Sequence, residues 1–96
     1  MRKFDVEEKL HKILQKLSKK DRKRYEIIWK KINEIINSEN VEHYKNLKYP
    51  LNDFKRIHID GSFVLIFKYD KTNDKLIFYD FDHHDKIYLK KFQSQQ

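Results

Sequence analysis

The spacing of apolar positions along the chain changes period once. Val6, Leu10, Ile13, Leu14 and Leu17 recur at three- and four-residue intervals with lysines and glutamates opposite, the pattern of a helix that buries one stripe. A second stripe follows, Tyr25, Ile28, Trp29, Ile32, Ile35 and Ile36, and fades at Asn37-Ser38-Glu39-Asn40. Between them Ser18-Lys19-Lys20-Asp21 has the S-x-x-D form of a capping box, so the second helix is expected to start there under a serine cap. So short a join makes the helices an antiparallel pair. The aromatic and isoleucine stripe reads as core rather than as a groove for a partner. Lys3 to Val6, ahead of the first helix, reads as a short edge strand.

From Lys55 the period is two. Ile57 and Ile59 alternate with Arg56 and His58, and Phe63, Leu65, Phe67 and Tyr69 alternate with Val64, Ile66 and Lys68. The single glycine falls between these runs, at Asp60-Gly61, where a hairpin needs positive φ. A turn closed by Asp60 and Gly61 alone would pair His58 with Phe63 and mix polar with apolar on each face. A loop of Asp60-Gly61-Ser62 instead pairs Ile59 with Phe63 and Ile57 with Leu65, which leaves one face apolar for the helices and puts Arg56 and His58 on the other. Lys75 to Asp82, almost continuously apolar, is expected as a third strand with neighbours on both sides. His83-His84-Asp85 breaks the pattern, and Lys86 to Phe92 is expected as a last helical turn or short strand that returns Tyr88 over the sheet. Residues 38–53, with the only proline at Pro50, read as a connector whose charges are solvated. The expected fold is one α+β domain over residues 1–96: an N-terminal antiparallel helix hairpin on a small, mostly antiparallel sheet of three to four strands.

The formal net charge of +7 favours a polyanionic partner, because basic side chains release counterions from phosphate. Absence of cysteine excludes disulfide and thiolate-metal chemistry and fits a reducing compartment. The opening MRKFDVEEKL lacks the apolar run of a signal peptide, and no stretch has the apolar length of a membrane span, so a cytoplasmic protein is expected.

Candidate chemistry gathers around the hairpin. His58 beside Lys55 and Arg56, with His83, His84 and Tyr88 after the third strand, supplies proton-transfer groups and cations on one small sheet. Cutting RNA without a metal requires such a set: a base for the ribose 2′-hydroxyl, an acid for the departing 5′-oxygen and cations for the charged phosphorane. Lys45 and Lys48 in the connector are further phosphate-binding candidates, and Tyr49 a stacking one. Asp80, Asp82, His83, His84 and Asp85 also invite a metal reading. Adjacent strand residues face opposite ways, so His83 and His84 are not expected on one ion, and only Asp80, Asp82 and His84 remain to converge. No metal and no cofactor is expected.

The order of helix hairpin, RIHIDG-x-FVLIF, apolar strand and HHDKIY resembles the RelE toxins of bacterial and archaeal toxin–antitoxin pairs, whose pattern runs R-I-R-I-D-G-D-Y-R-L-I-Y and then G-H-R-x-x-V-Y. The resemblance covers nearly the whole chain. It implies a toxin that cuts messenger RNA in the ribosomal A site without a metal and is silenced by a RelB-like antitoxin, here expected to be acidic. Matched position by position, Arg56 is the first arginine of the motif, Lys55 a frequent lysine, His58 the second arginine, His83 the histidine of H-R, His84 its arginine and Tyr88 the closing tyrosine. The resemblance thus implies His58, His84, Tyr88 and His83 as catalytic residues, and Lys55 and Arg56 as phosphate ligands. Two departures stand out: Val64 occupies a position usually held by arginine, as does His84. Either histidines have taken over that work, or the chain is a weak or inactive relative that binds without cutting.

Overall fold

Alternation from Lys55 onward builds three strands of a four-stranded sheet, and Lys3–Val6 adds the fourth at its edge. Its strands are β1 (Lys3–Val6), β2 (Lys55–Ile59), β3 (Phe63–Asp70) and β4 (Lys75–His83). The structure is a computed structural model that describes residues 1–90. β2, β3 and β4 pair antiparallel, and β1 runs parallel along the far edge of β4. β4 therefore has a neighbour on each side, as its unbroken apolar run requires.

The β2–β3 register is the one parity demands. Ile57 faces Leu65 and Ile59 faces Phe63, across a loop in which Asp60 and Gly61 take φ of 56° and 80°. Glycine adopts that conformation without a steric cost, whereas a Cβ there would be strained even though nothing crowds it. β3 and β4 slip register between Ile66 and Phe67, where Tyr79 is the extra residue.

Two helices, α1 (Glu8–Lys20) and α2 (Arg22–Ile36), cover one face. Leu10 and Leu14 of α1 and Ile28, Ile32 and Ile35 of α2 are buried against Ile59, Leu65, Phe67 and Phe78 of the sheet. Each such side chain contributes about 2 kcal/mol relative to exposure. The capping box does not form: Ser18 lies inside α1, where its hydroxyl donates to the Gln15 carbonyl at 2.7 Å. Asp21 caps α2 instead, accepting the Arg24 amide at 3.2 Å. The helix join is one residue long, so the serine three residues earlier is still needed by the first helix.

The connector crosses to the opposite face of the sheet and closes a second core. Leu47, Leu51 and Phe54 are buried there with Val64, Ile66 and Ile87. The connector's lysines and asparagines are exposed, in line with solvated charges, but the interspersed leucines are buried, which the sequence did not indicate. β4 ends at His83, and α3 (His84–Ile87) begins two residues earlier than the Lys86 start expected; Lys91 and Phe92 of that expectation lie outside the described residues. Asp80, wholly buried, receives Lys9 from α1 at 3.2 Å and Lys90 at 2.7 Å. Lys90 also reaches Asp82 at 2.8 Å, so the segment after α3 is clamped back onto β4.

Candidate functional site

The second core leaves a cleft beside it. Leu47, Lys48, Arg56, His58, Val64, His84 and Tyr88 line a hollow of about 220 Å³ on the face away from the helices. Strand parity puts Arg56 and His58 on that face of β2, the β4–α3 turn brings His84, and α3 carries Tyr88 across to the connector. A wider depression along the outer side of α2, between Tyr25 and Trp29, has no histidine in its lining. The smaller cleft is lined instead by His58, His84 and Tyr88, groups able to take or give a proton.

Hydrogen bonds orient its members. Arg56 Nη1 donates to His58 Nδ1 at 3.0 Å. A guanidinium can only donate, so that nitrogen carries a lone pair and His58 is held neutral. Partial burial, then the charges of Arg56 and His84, hold its pKa below the usual histidine value. His84 is turned the other way: its Nδ1 lies 3.3 Å from the Ser62 carbonyl and its Nε2 2.9 Å from Asp85 Oδ1, an acceptor at each ring nitrogen. The Tyr88 hydroxyl oxygen accepts the Lys48 amide at 2.8 Å, which fixes the ring against the connector and leaves its own proton free to be donated into the cleft.

The structure thus brings Arg56, His58, His84, Tyr88 and Lys48 together. It does not bring the others in. Lys55 spends its ammonium on the Tyr44 carbonyl at 3.0 Å and Asn46 Oδ1 at 3.1 Å, pinning the connector. Lys45 is exposed beyond the cleft lining, and its carbonyl accepts the Arg56 amide at 2.9 Å. His83 caps α3 by accepting the Asp85 amide at 3.3 Å and packs edge-on against Phe63. Sequence reasoning missed Leu47 and the Ser62 carbonyl. Nothing local marks either, because each acts through a residue distant in the chain.

The two expectations about metal ligands fail together. Asp80 and Asp82 do share a face, but both carboxylates are taken by Lys90 and neither meets His84. His83 and His84 do not point apart: their rings stack with centroids 5.1 Å apart, because the strand ends between them.

No family model matches the chain. It is 57% identical over 91 residues, 95% of each chain, to RelE4 of Methanocaldococcus jannaschii, itself a provisionally assigned toxin. Among solved structures, a metal-bound toxin from Helicobacter pylori superposes with a TM-score of 0.71 at 21% identity, over 91% of this chain and 99% of that one. The toxin–antitoxin complex RelBE of E. coli matches with a TM-score of 0.64 at 20% identity, over 86% of this chain and 96% of its own. At such identities these two carry the fold alone, and the α+β arrangement above is theirs. With the fold, the RIHIDG hairpin and the extent of likeness to RelE4 in agreement, the chain belongs to the RelE family of toxins.

Proposed function

We propose that this toxin is a metal-independent endoribonuclease that cuts messenger RNA in the ribosomal A site, and that the cleft between β2, α3 and the connector is its active site. The observation that carries this reading is the meeting there of a neutral histidine, a second histidine facing two acceptors, a guanidinium and a tyrosine hydroxyl. Bound phosphate draws Arg56 off His58 and frees its Nδ1 lone pair. That nitrogen takes the ribose 2′ proton while the 2′-oxygen attacks phosphorus; His84 gives its proton to the 5′-oxygen as the P–O5′ bond breaks. The products are a 2′,3′-cyclic phosphate and a 5′-hydroxyl. Arg56 and Lys48 stabilise the phosphorane, and the Tyr88 ring stacks on a base.

A second reading follows from Val64. Where the family usually has arginine, this side chain is buried in the second core and offers the cleft no charge. On that reading the chain binds the ribosome and stalls it without cutting. In either case a RelB-like, acidic antitoxin covers the basic cleft.

Primer extension on a defined message, after addition of the purified chain to translating ribosomes, separates the two. New ends at a fixed place in the A-site codon are expected. His58→Ala and His84→Ala should each lower cutting by roughly 100-fold or more while circular dichroism stays unchanged. Stalled ribosomes on intact message would establish the binding reading instead.

A further inference from the structure

At the end of β4 the side chains of His83, His84 and Asp85 meet, although the three are consecutive. Asp85 reaches a nitrogen of each of the stacked rings, its Oδ1 2.9 Å from His84 Nε2 and its Oδ2 3.7 Å from His83 Nδ1. One candidate donor atom from each residue lies within 4.8 Å of the other two. Three such atoms on one ion, with bonds of about 2.1 Å, stand about 3.4 Å apart, so small side-chain rotations close the set. The His84 imidazole is already braced: the Ser62 carbonyl accepts both the His84 amide at 2.9 Å and its Nδ1–H at 3.3 Å, which leaves Nε2 as the atom aimed at Asp85. The bond from the Asp85 amide to His83 Nδ1, at 3.3 Å, is long enough for an ion to replace.

We propose that His83, His84 and Asp85 form a solvent-open site for one divalent d-block cation of the zinc, nickel or cobalt kind. Two imidazoles and one carboxylate select such ions over magnesium and calcium, which take oxygen shells. His84 also lines the cleft. Resting on the function proposed above, an ion on its Nε2 takes the place of the proton destined for the leaving oxygen, so the bound metal inhibits cutting.

The test is calorimetric titration of zinc chloride into the untagged, chelator-stripped chain, with cobalt absorption as a second readout. One zinc per chain is expected, no heat from magnesium, and a visible cobalt band. His83→Gln and Asp85→Asn should each weaken zinc by roughly tenfold or more and lose the band, with circular dichroism confirming that both fold. Unaltered zinc affinity in Asp85→Asn would overturn the site. So would a loss in His58→Gln as large as in His83→Gln, since the ion would then lie in the cleft. In the ribosome assay, zinc should inhibit the native chain more than Asp85→Asn; equal inhibition overturns the regulatory half. Because calorimetry reads binding alone, a chain that cuts nothing strikes the proposed function and leaves the zinc result to stand or fall by itself.

Discussion

Arg56 and His58 are two residues apart on one strand, so strand geometry alone makes them neighbours. Their 3.0 Å bond then decides which nitrogen of His58 is free of a proton. Since burial and the adjacent charges lower the His58 pKa, protonation is resisted by the folded state. On the proposed function, His58 as the base is therefore competent through neutral pH and is lost only as pH falls below the ordinary histidine range. Cutting is expected to rise with pH along an acid limb below 6.5, the ordinary value of a histidine, and Arg56→Gln should move that limb upward by removing a positive neighbour. A rate profile across that range checks both the sign and the shift. Tyr88 is held by its acceptor oxygen, and Tyr88→Phe keeps the ring but loses the Lys48 bond. Urea denaturation should show about 1 kcal/mol lost, and cutting should fall by roughly tenfold from mispositioning.

Between elements, the decisive contact is the clamp of Lys90 on Asp80 and Asp82. Burial opposes charge on the ammonium, and its bonds to the two carboxylates outweigh that, so its pKa is raised. The same bonds hold the Asp82 carboxyl below its usual range against partial burial. Asp80 has no exposure of its own and depends on Lys9 and Lys90 for charge compensation. Lys90→Met should cost about 3 kcal/mol in urea denaturation, because a buried carboxylate is left with one ammonium partner. It should also loosen α3, which the clamp ties to β4. Tyr88 and His84 travel with that helix, so on the proposed function the variant should lose cutting before it loses the global fold.

Across the whole molecule, the sheet separates two tasks: the helices cover one face and supply most of the core, and the connector covers only part of the other. The cleft is what that partial cover leaves open. With a net charge of +7, and Lys48 and Arg56 in the cleft, binding of single-stranded RNA should weaken linearly on a logarithmic salt scale. Neutralising Lys48 or Arg56 to glutamine should reduce the slope by about 0.7 each, and the same change at Lys55 should leave it nearly unaltered. Filter binding at several salt concentrations distinguishes these cases.

The sequence by itself marked β4 by its almost continuous apolar run, and it determined both helices, β2, β3 and the β2–β3 register, because each rests on a period that neighbouring residues repeat. A slip of one residue there would turn every isoleucine and phenylalanine of the hairpin outward, so parity admits one pairing. It also placed Arg56 and His58 on the cleft face and, through the family motif, pointed to His84 and Tyr88. Tertiary structure decided the rest. Leu47, Leu51 and Phe54 have no period to betray that they cross the sheet and bury Val64. Whether Lys48 or Lys55 faces the cleft depends on that crossing. The end of β4 depends on a carbonyl from the β2–β3 loop and on a lysine beyond α3, and with it goes the stacking of His83 on His84. A strand's alternation is local and holds only while the strand lasts, whereas the place where it stops is set by contacts between residues far apart in the chain.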